Sequence, residues 1–226
     1  AIVRGPRIVV ERIDIEGNET TLDRVVRNQF TTVEGDPFNP RAIRAAAERI
    51  RALGYFSNVD VQAREGSSAD SVIVDVDVEE QGTGAFSIGA TYALGEGLGF
   101  MLSFSESNFL GRGQYISVDF SGGLDKRNYG FSFAEPRLFG RDLRGGIDLS
   151  YNETSWADNL FDTTRGNASL SLEFPISETG RVSVRGFGEL TDMTCYGFEE
   201  DCTTPDPTED SAILAAEQAR GMQIGG

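Results

Sequence analysis

The stretch Ala85–Tyr92 reads AFSIGATY, and its alternation decides the architecture. Phe86, Ile88, Ala90 and Tyr92 fall on one face of an extended strand, and Ser87, Gly89 and Thr91 fall on the other. The pattern returns at Phe100/Leu102/Phe104, Ile116/Val118/Phe120, Tyr129/Phe131/Phe133, Ile147/Leu149/Tyr151 and Ala168/Leu170/Leu172/Phe174. Each run offers one apolar face and one face rich in Ser, Gly, Thr, Asp and Glu.

A soluble sandwich would bury those apolar faces against a second sheet. A transmembrane barrel turns them to lipid and keeps the polar faces in a wet lumen. Three features favour the barrel. A strand of about ten residues tilted by about 45° spans roughly 25 Å, the height of the apolar band. The connections sort by length. Phe109–Gly113, Pro136–Arg141 and Pro175–Gly180 are tight, whereas Leu94–Gly97, Gly122–Arg127, Asn152–Thr164 and the chain after Thr191 lengthen progressively. Finally, the polar faces carry isolated charges at Asp119, Glu173 and Arg185, which a dry core would not tolerate.

The totals narrow the function. The 226 residues carry a formal charge of −16, which argues against nucleic acid as a partner. Histidine is absent, so His-based acid–base catalysis and His metal sites are excluded for this chain. The acidic pairs, Glu199/Glu200 among them, have no adjoining apolar stretch to tune a carboxyl group. No catalytic residue, metal site or cofactor is expected. Cys195 and Cys202 lie in the polar string YGFEEDCTTPDPTED, where a loop disulfide is the expected pairing in an exported chain. No run of eighteen apolar residues exists, so no membrane-spanning helix is expected.

The first eighty residues follow a different rule. IVVERIDI (Ile8–Ile15) alternates as a strand and stops at Glu16-Gly17-Asn18. Thr20 or Thr21 is expected to cap a helix running through Phe30, with Leu22, Val25, Val26 and Phe30 on one face. A second helix is expected from Asn39, with Pro40 at its first position, to Leu53, ended by Gly54. Val59–Val61 and Val72–Val78 supply two further strands. The order is β-α-α-β-β: a small sheet covered by two helices.

Together these strings resemble a known family. VERIDIEGNETT, the turn EGDPFNP and the helix exit ALGYFSNVDV are similar to a POTRA domain. GAFSIGATY, SESNFLGRGQ, FAEPRLFGRDL and LEFPISETG follow in the order found at the start of a BamA-type barrel. The resemblance implies an α+β POTRA domain at 1–80, a hinge at 81–84, and about seven strands of a sixteen-stranded antiparallel β-barrel at 85–226. Seven strands cannot close, so the chain is expected to be part of a longer one, with Ala1 a cut.

That resemblance implies a non-enzymatic assembly factor of the Gram-negative outer membrane, with its POTRA domain in the periplasm. The strand Ala85, Phe86, Ser87, Ile88, Gly89, Ala90, Thr91, Tyr92 corresponds to the family's separable seam, where an incoming outer-membrane protein adds a strand. Arg27 and Glu34, at the end of the first POTRA helix, correspond to the region that meets the lipoprotein BamD. The implied partners are the outer-membrane bilayer, Bam-complex lipoproteins and nascent outer-membrane proteins. The family's late-loop VRGF motif has a false echo in Val184–Phe187, which reads here as strand with Arg185 facing the lumen. Ser211–Met222 reads either as a short helix in an outer loop or as an artefact of truncation. The alternatives are a TamA-like or two-partner secretion transporter, a passive porin, and a soluble two-domain binding protein.

Overall fold

The computed structural model describes residues 7–94, 97–123, 126–155, 161–177, 180–195 and 222–225. The chain forms two compact units, one of residues 1–84 with 107–114 and the other of 85–106 with 115–226.

The first unit is built as β1 (Val9–Glu16), α1 (Asp23–Arg27), α2 (Pro40–Ala52), β2 (Phe56–Glu65) and β3 (Ser71–Glu80). Its sheet order is β1-β3-β2, with β1 parallel and β2 antiparallel to β3. Helix α2 starts as its sequence requires. Asn39 caps it through Oδ1, which accepts from the N–H groups of Arg41 at 3.0 Å and Ala42 at 3.4 Å. Its inner stripe of Ile43, Ala46, Ala47 and Ile50 is buried. Those side chains meet Val10, Val26, Val74 and Val76, and together they form the core. Truncating the fully buried Ile50 to Ala would cost about 2–5 kcal/mol.

Helix α1 departs from expectation. It holds only five residues, and Leu22 occupies the cap position without a side-chain hydrogen bond. The Thr21 hydroxyl is engaged across the unit, where Asn108 Nδ2 donates to it at 2.8 Å. The Glu80 carboxylate accepts from the N–H groups of Thr20 (3.0 Å) and Thr21 (2.6 Å), holding both threonines in the approach to the helix.

The second unit is one antiparallel meander. Its strands are β4 (Gly84–Ala93), β5 (Gly97–Phe109), β6 (Gln114–Gly122), β7 (Lys126–Glu135), β8 (Arg144–Ser155), β9 (Phe161–Pro175), β10 (Arg181–Cys195) and the short β11 (Met222–Gly225). They lie in sequence order from β4 to β11, so the described sheet has eight strands where the sequence suggested about seven. The expected long connection at Asn152–Thr164 is mostly ladder. β8 and β9 pair as far as Ser155 and Asp162.

The register sorts side chains by face. One row across β6 to β10 is Ile116, Phe133, Ile147, Leu170 and Gly186, and the next is Val118, Phe131, Leu149 and Ala168. The opposite face carries Ser117, Ser132, Asp148, Ser169, Ser171 and Arg185. Burial is inverted relative to a soluble sheet. The buried hydrophobic core holds only residues of the first unit, while Phe86, Ile88, Phe104, Leu149, Leu170 and Val184 are exposed. Among the sheet's described residues the buried ones include Ser117 and Ser169. A dry sandwich interior cannot produce that distribution; a lipid-facing wall does.

Arg185 lies on the polar face, where its Nη2 donates to Asp148 Oδ2 at 2.9 Å and Ser169 Oγ donates to the same carboxylate at 3.1 Å. Val184–Phe187 is therefore ordinary strand. No helix among the described residues is long and apolar enough to cross a membrane. The described part of Ser211–Met222 is Met222, which begins β11; the remainder lies outside the described residues.

Candidate functional site

Strand β4 is an edge of the eight-stranded sheet, hydrogen-bonded to β5 on one side and to no strand on the other among the described residues. Nine of its ten residues are exposed, the exception being the half-buried Gly89. Phe86 and Ile88 are 65% and 78% exposed. Gly89 sits over Met101, whose Cε would lie 3.5 Å from an added Cβ. The far side of an edge strand carries backbone donors and acceptors that can pair with a further strand, of the same chain or of another. The eight residues Ala85–Tyr92 expected to form the seam all fall within β4, the terminal strand of the described sheet.

The three-stranded sheet has two unequal edges. The outer side of β1 is covered by the chain's own loop. Gly35 N–H donates to Val10 O (2.7 Å), Val10 N–H to Asp36 O (2.9 Å) and Phe38 N–H to Ile8 O (2.9 Å). Arg27 and Glu34 complete that cover. Arg27 Nη2 donates to Ile13 O at 3.1 Å, and Glu34 Oε1 accepts from Ile13 N–H at 3.3 Å. The two side chains also pair with each other at 3.1 Å, and Arg27 holds Asp23 at 2.8 Å. The structure thus brings Arg27 and Glu34 together and gives them an internal task that their sequence positions did not reveal. They remain about half exposed, at 41% and 50%. Among the described residues the β2 edge has no such cover; Arg51 Nη2 reaches Val59 O (2.8 Å), and Asp60 to Glu65 run on along the outer side of β2.

A polar chain inside the first unit went unread in the sequence. Glu80 holds the N–H groups of Thr20 and Thr21, and Thr21 Oγ1 accepts from Asn108 Nδ2 at 2.8 Å. Asn108 Oδ1 in turn accepts from Gly113 N–H at 2.8 Å, and Tyr55 O–H donates to Gly113 O at 3.4 Å. Partial burial of Glu80 opposes ionisation, and the hydrogen bonds from Thr21 and Thr20 outweigh it, so its carboxyl titrates below the usual range. The segment NFLGRG announced a turn, but nothing in it announced partners near residues 20 and 55.

Cys195 is the last residue of β10, not part of a loop, and Cys202 lies outside the described residues, as does their expected bridge. Among the described residues no group of acidic or thiol side chains is arranged to hold a metal ion.

Comparison with known proteins agrees with this geometry. Residues 8–81 match the POTRA family model (surface antigen variable number repeat), and residues 108–193 match the Omp85 superfamily domain. The chain is a POTRA–Omp85 chain: a POTRA domain followed by barrel strands. Within that class its relatives include assembly factors of the BamA type. It is 32% identical over 199 residues to the outer membrane protein assembly factor BamA of Nitratidesulfovibrio vulgaris, covering 86% of this chain and 24% of that one. It is 28% identical to BamA of Neisseria meningitidis (85% and 25% covered) and 26% identical to the human sorting and assembly machinery component 50 homolog (86% and 42%). The chain thus spans about a quarter of the length of these bacterial relatives. In fold it is similar to BamA from Haemophilus ducreyi lacking POTRA domains 1–3, with a TM-score of 0.69 over 97% of this chain and 42% of that one at 21% identity. It is similar also to CdiB from Acinetobacter baumannii (TM-score 0.58, 14% identity, 83% and 38% covered).

Proposed function

We propose that this chain is the POTRA-and-seam part of an outer-membrane protein assembly factor, and that β4 is where an incoming barrel strand is received. The POTRA domain lies in the periplasm and the sheet in the outer membrane. The observation that carries the reading is the place of β4 as the first and terminal strand of a sequential meander whose apolar side chains are exposed. Backbone pairing is indifferent to most side chains, so such an edge accepts many substrate strands. No bond is made or broken in the substrate, and the factor is not an enzyme. The recruit's own folding supplies the free energy, so no nucleotide or other cofactor is required.

The POTRA domain contributes a second strand-accepting edge, β2, since β1 is occupied by the chain's own loop. Arg27 and Glu34 form the partner-facing point at the end of α1, where a BamD-like lipoprotein would meet them by charge-assisted hydrogen bonds. Their pairing in the free protein means that a partner must compete with Asp23 and with each other.

The test uses the full-length protein in proteoliposomes with a urea-unfolded barrel protein as substrate. The factor should accelerate substrate folding, and an engineered disulfide that ties the β4 edge to the strand closing the barrel should abolish the acceleration. Equal acceleration with the edge tied would remove β4 from the mechanism. A passive porin, one of the alternatives, would instead give a large and steady conductance and no acceleration.

A further inference from the structure

The turn between β7 and β8 is built at odds with its sequence. Leu138 O accepts from Arg141 N–H at 3.2 Å, and the two central residues, Phe139 (φ 56°, ψ 27°) and Gly140 (φ 73°), both lie in the left-handed region. This is a type I′ turn, in which the first central position favours Asn and a bulky side chain is strained. Phe139 nevertheless occupies it and is 88% exposed. No packing among the described residues accounts for it. Leu138, beside it, lies over Gly145, with its Cδ2 3.3 Å from where a Cβ would stand. Gly145 shares its face with Leu172, on the apolar side of the sheet.

The charge of this segment is equally unusual. In a chain of net charge −16, Arg137–Arg144 (RLFGRDLR) holds three arginines against one aspartate. That aspartate, Asp142, is engaged by Arg181 at 3.2 Å. Among the described residues Arg137 and Arg141 carry no ion pair, and Arg137 Nε is buried without a hydrogen-bond partner. The meander places this turn on the rim where β4 begins, because β5 and β7 both return to it.

We propose that the Arg137–Arg141 turn is a binding site for the headgroup of an anionic phospholipid in the leaflet at that rim. Phe139 and Leu138 enter the apolar boundary while Arg137 and Arg141 hold the phosphate. The occupant is a bilayer lipid rather than a soluble phosphate, because the cations flank an exposed aromatic residue continuous with the lipid-facing wall. Each basic residue close to an anionic surface contributes enough for about fivefold in affinity. The strain at Phe139 is compensated by what its ring touches in the membrane.

The experiment uses the full-length protein in vesicles of phosphatidylcholine, with and without phosphatidylglycerol. In Phe139→Trp, the added fluorescence should be quenched by lipids brominated near the headgroup end of their chains, more so with phosphatidylglycerol present. In native mass spectrometry, Arg137→Gln/Arg141→Gln should retain less phosphatidylglycerol, by about fivefold per arginine. Phe139→Asn should raise the thermal midpoint in detergent, because it suits the turn, and yet lower lipid retention; a purely structural role would not separate the two. Absence of quenching in both vesicles, or unchanged retention in the double arginine variant, overturns the proposal. Heat-modifiable gel mobility confirms folding of each variant. Should Phe139→Trp fail that check, the arginine variant, which leaves the turn residues in place, decides.

Discussion

Asn108 and Thr21, separated by 87 positions, are joined by a 2.8 Å hydrogen bond from the asparagine amide to the threonine hydroxyl. Both residues are nearly fully buried, at 7% and 2% exposure. The turn at 107–114 is therefore an integral part of the unit that holds the POTRA sheet. Asn108→Leu removes this bond and the one accepted from Gly113, taking the amide donor from the Thr21 hydroxyl and leaving a backbone N–H unpaired. We expect a loss of about 2–3 kcal/mol. Urea unfolding followed by far-ultraviolet circular dichroism reads it through α2, and Asn108→Asp, which keeps the acceptor only, should fall between the two.

The neighbouring Gly111 makes a sharper demand. It sits at φ 67°, and a Cβ there would run into the Thr20 carbonyl oxygen. Gly35 also has a left-handed conformation, φ 93°, but open space where its Cβ would stand. Gly35→Ala should cost about 1 kcal/mol, the backbone penalty alone. Gly111→Ala should cost clearly more, because Leu22 N–H also bonds to Gly111 O at 2.8 Å and would be displaced with it. Thermal midpoints of the two variants, compared side by side, check the order.

Acid should loosen the POTRA unit through Glu80 and Glu11. The hydrogen bonds from Ser71 and Ser67 hold the Glu11 carboxyl below its usual range, and those from Thr21 and Thr20, against partial burial, do the same for Glu80. A carboxylate whose folded pKa is depressed gives stability that is complete above its unfolded value, 4.5 here, and is lost as pH falls through the folded one. Unfolding midpoints should thus hold steady from pH 7 to about 5 and then decline. In Glu80→Gln the decline should be shallower and begin from a lower starting stability. A decline as steep as in the parent would show that Glu80 has no part in it.

Much of this architecture was legible because period and environment agree. Alternation set the register of β6 to β9, and Asn39, Pro40 and Gly54 set the ends of α2 by cap chemistry that acts within a few residues. The reading failed where distant groups compete. Thr20 and Thr21 have the composition of a helix cap, but Glu80, some sixty positions away, holds their N–H groups and Asn108 donates to the Thr21 hydroxyl. Arg27 and Glu34 looked like a solvated helix end, and only the fold shows them closing the β1 edge through Ile13. The seam strand was legible as a segment, whereas its edge position is a property of sheet order.

The two POTRA edges should behave differently. A photo-crosslinking residue at Gln62 on β2 should capture unfolded substrate, whereas the same residue at Arg12 on β1 should not, because the Val33–Phe38 loop already covers that side. Equal capture at both positions would mean that the loop leaves β1 during use.

The most direct measurement is cysteine cross-linking along Ala85–Tyr92 in the full-length protein, assembled with a substrate barrel arrested during folding. Disulfides should form with the substrate's terminal strand at Ser87, Ile88 and Gly89, shift in register as the cysteine is moved, and be absent at Ser150 in the sheet interior. No capture anywhere along Ala85–Tyr92 in a complex that is otherwise assembling substrate would contradict β4 as the receiving edge.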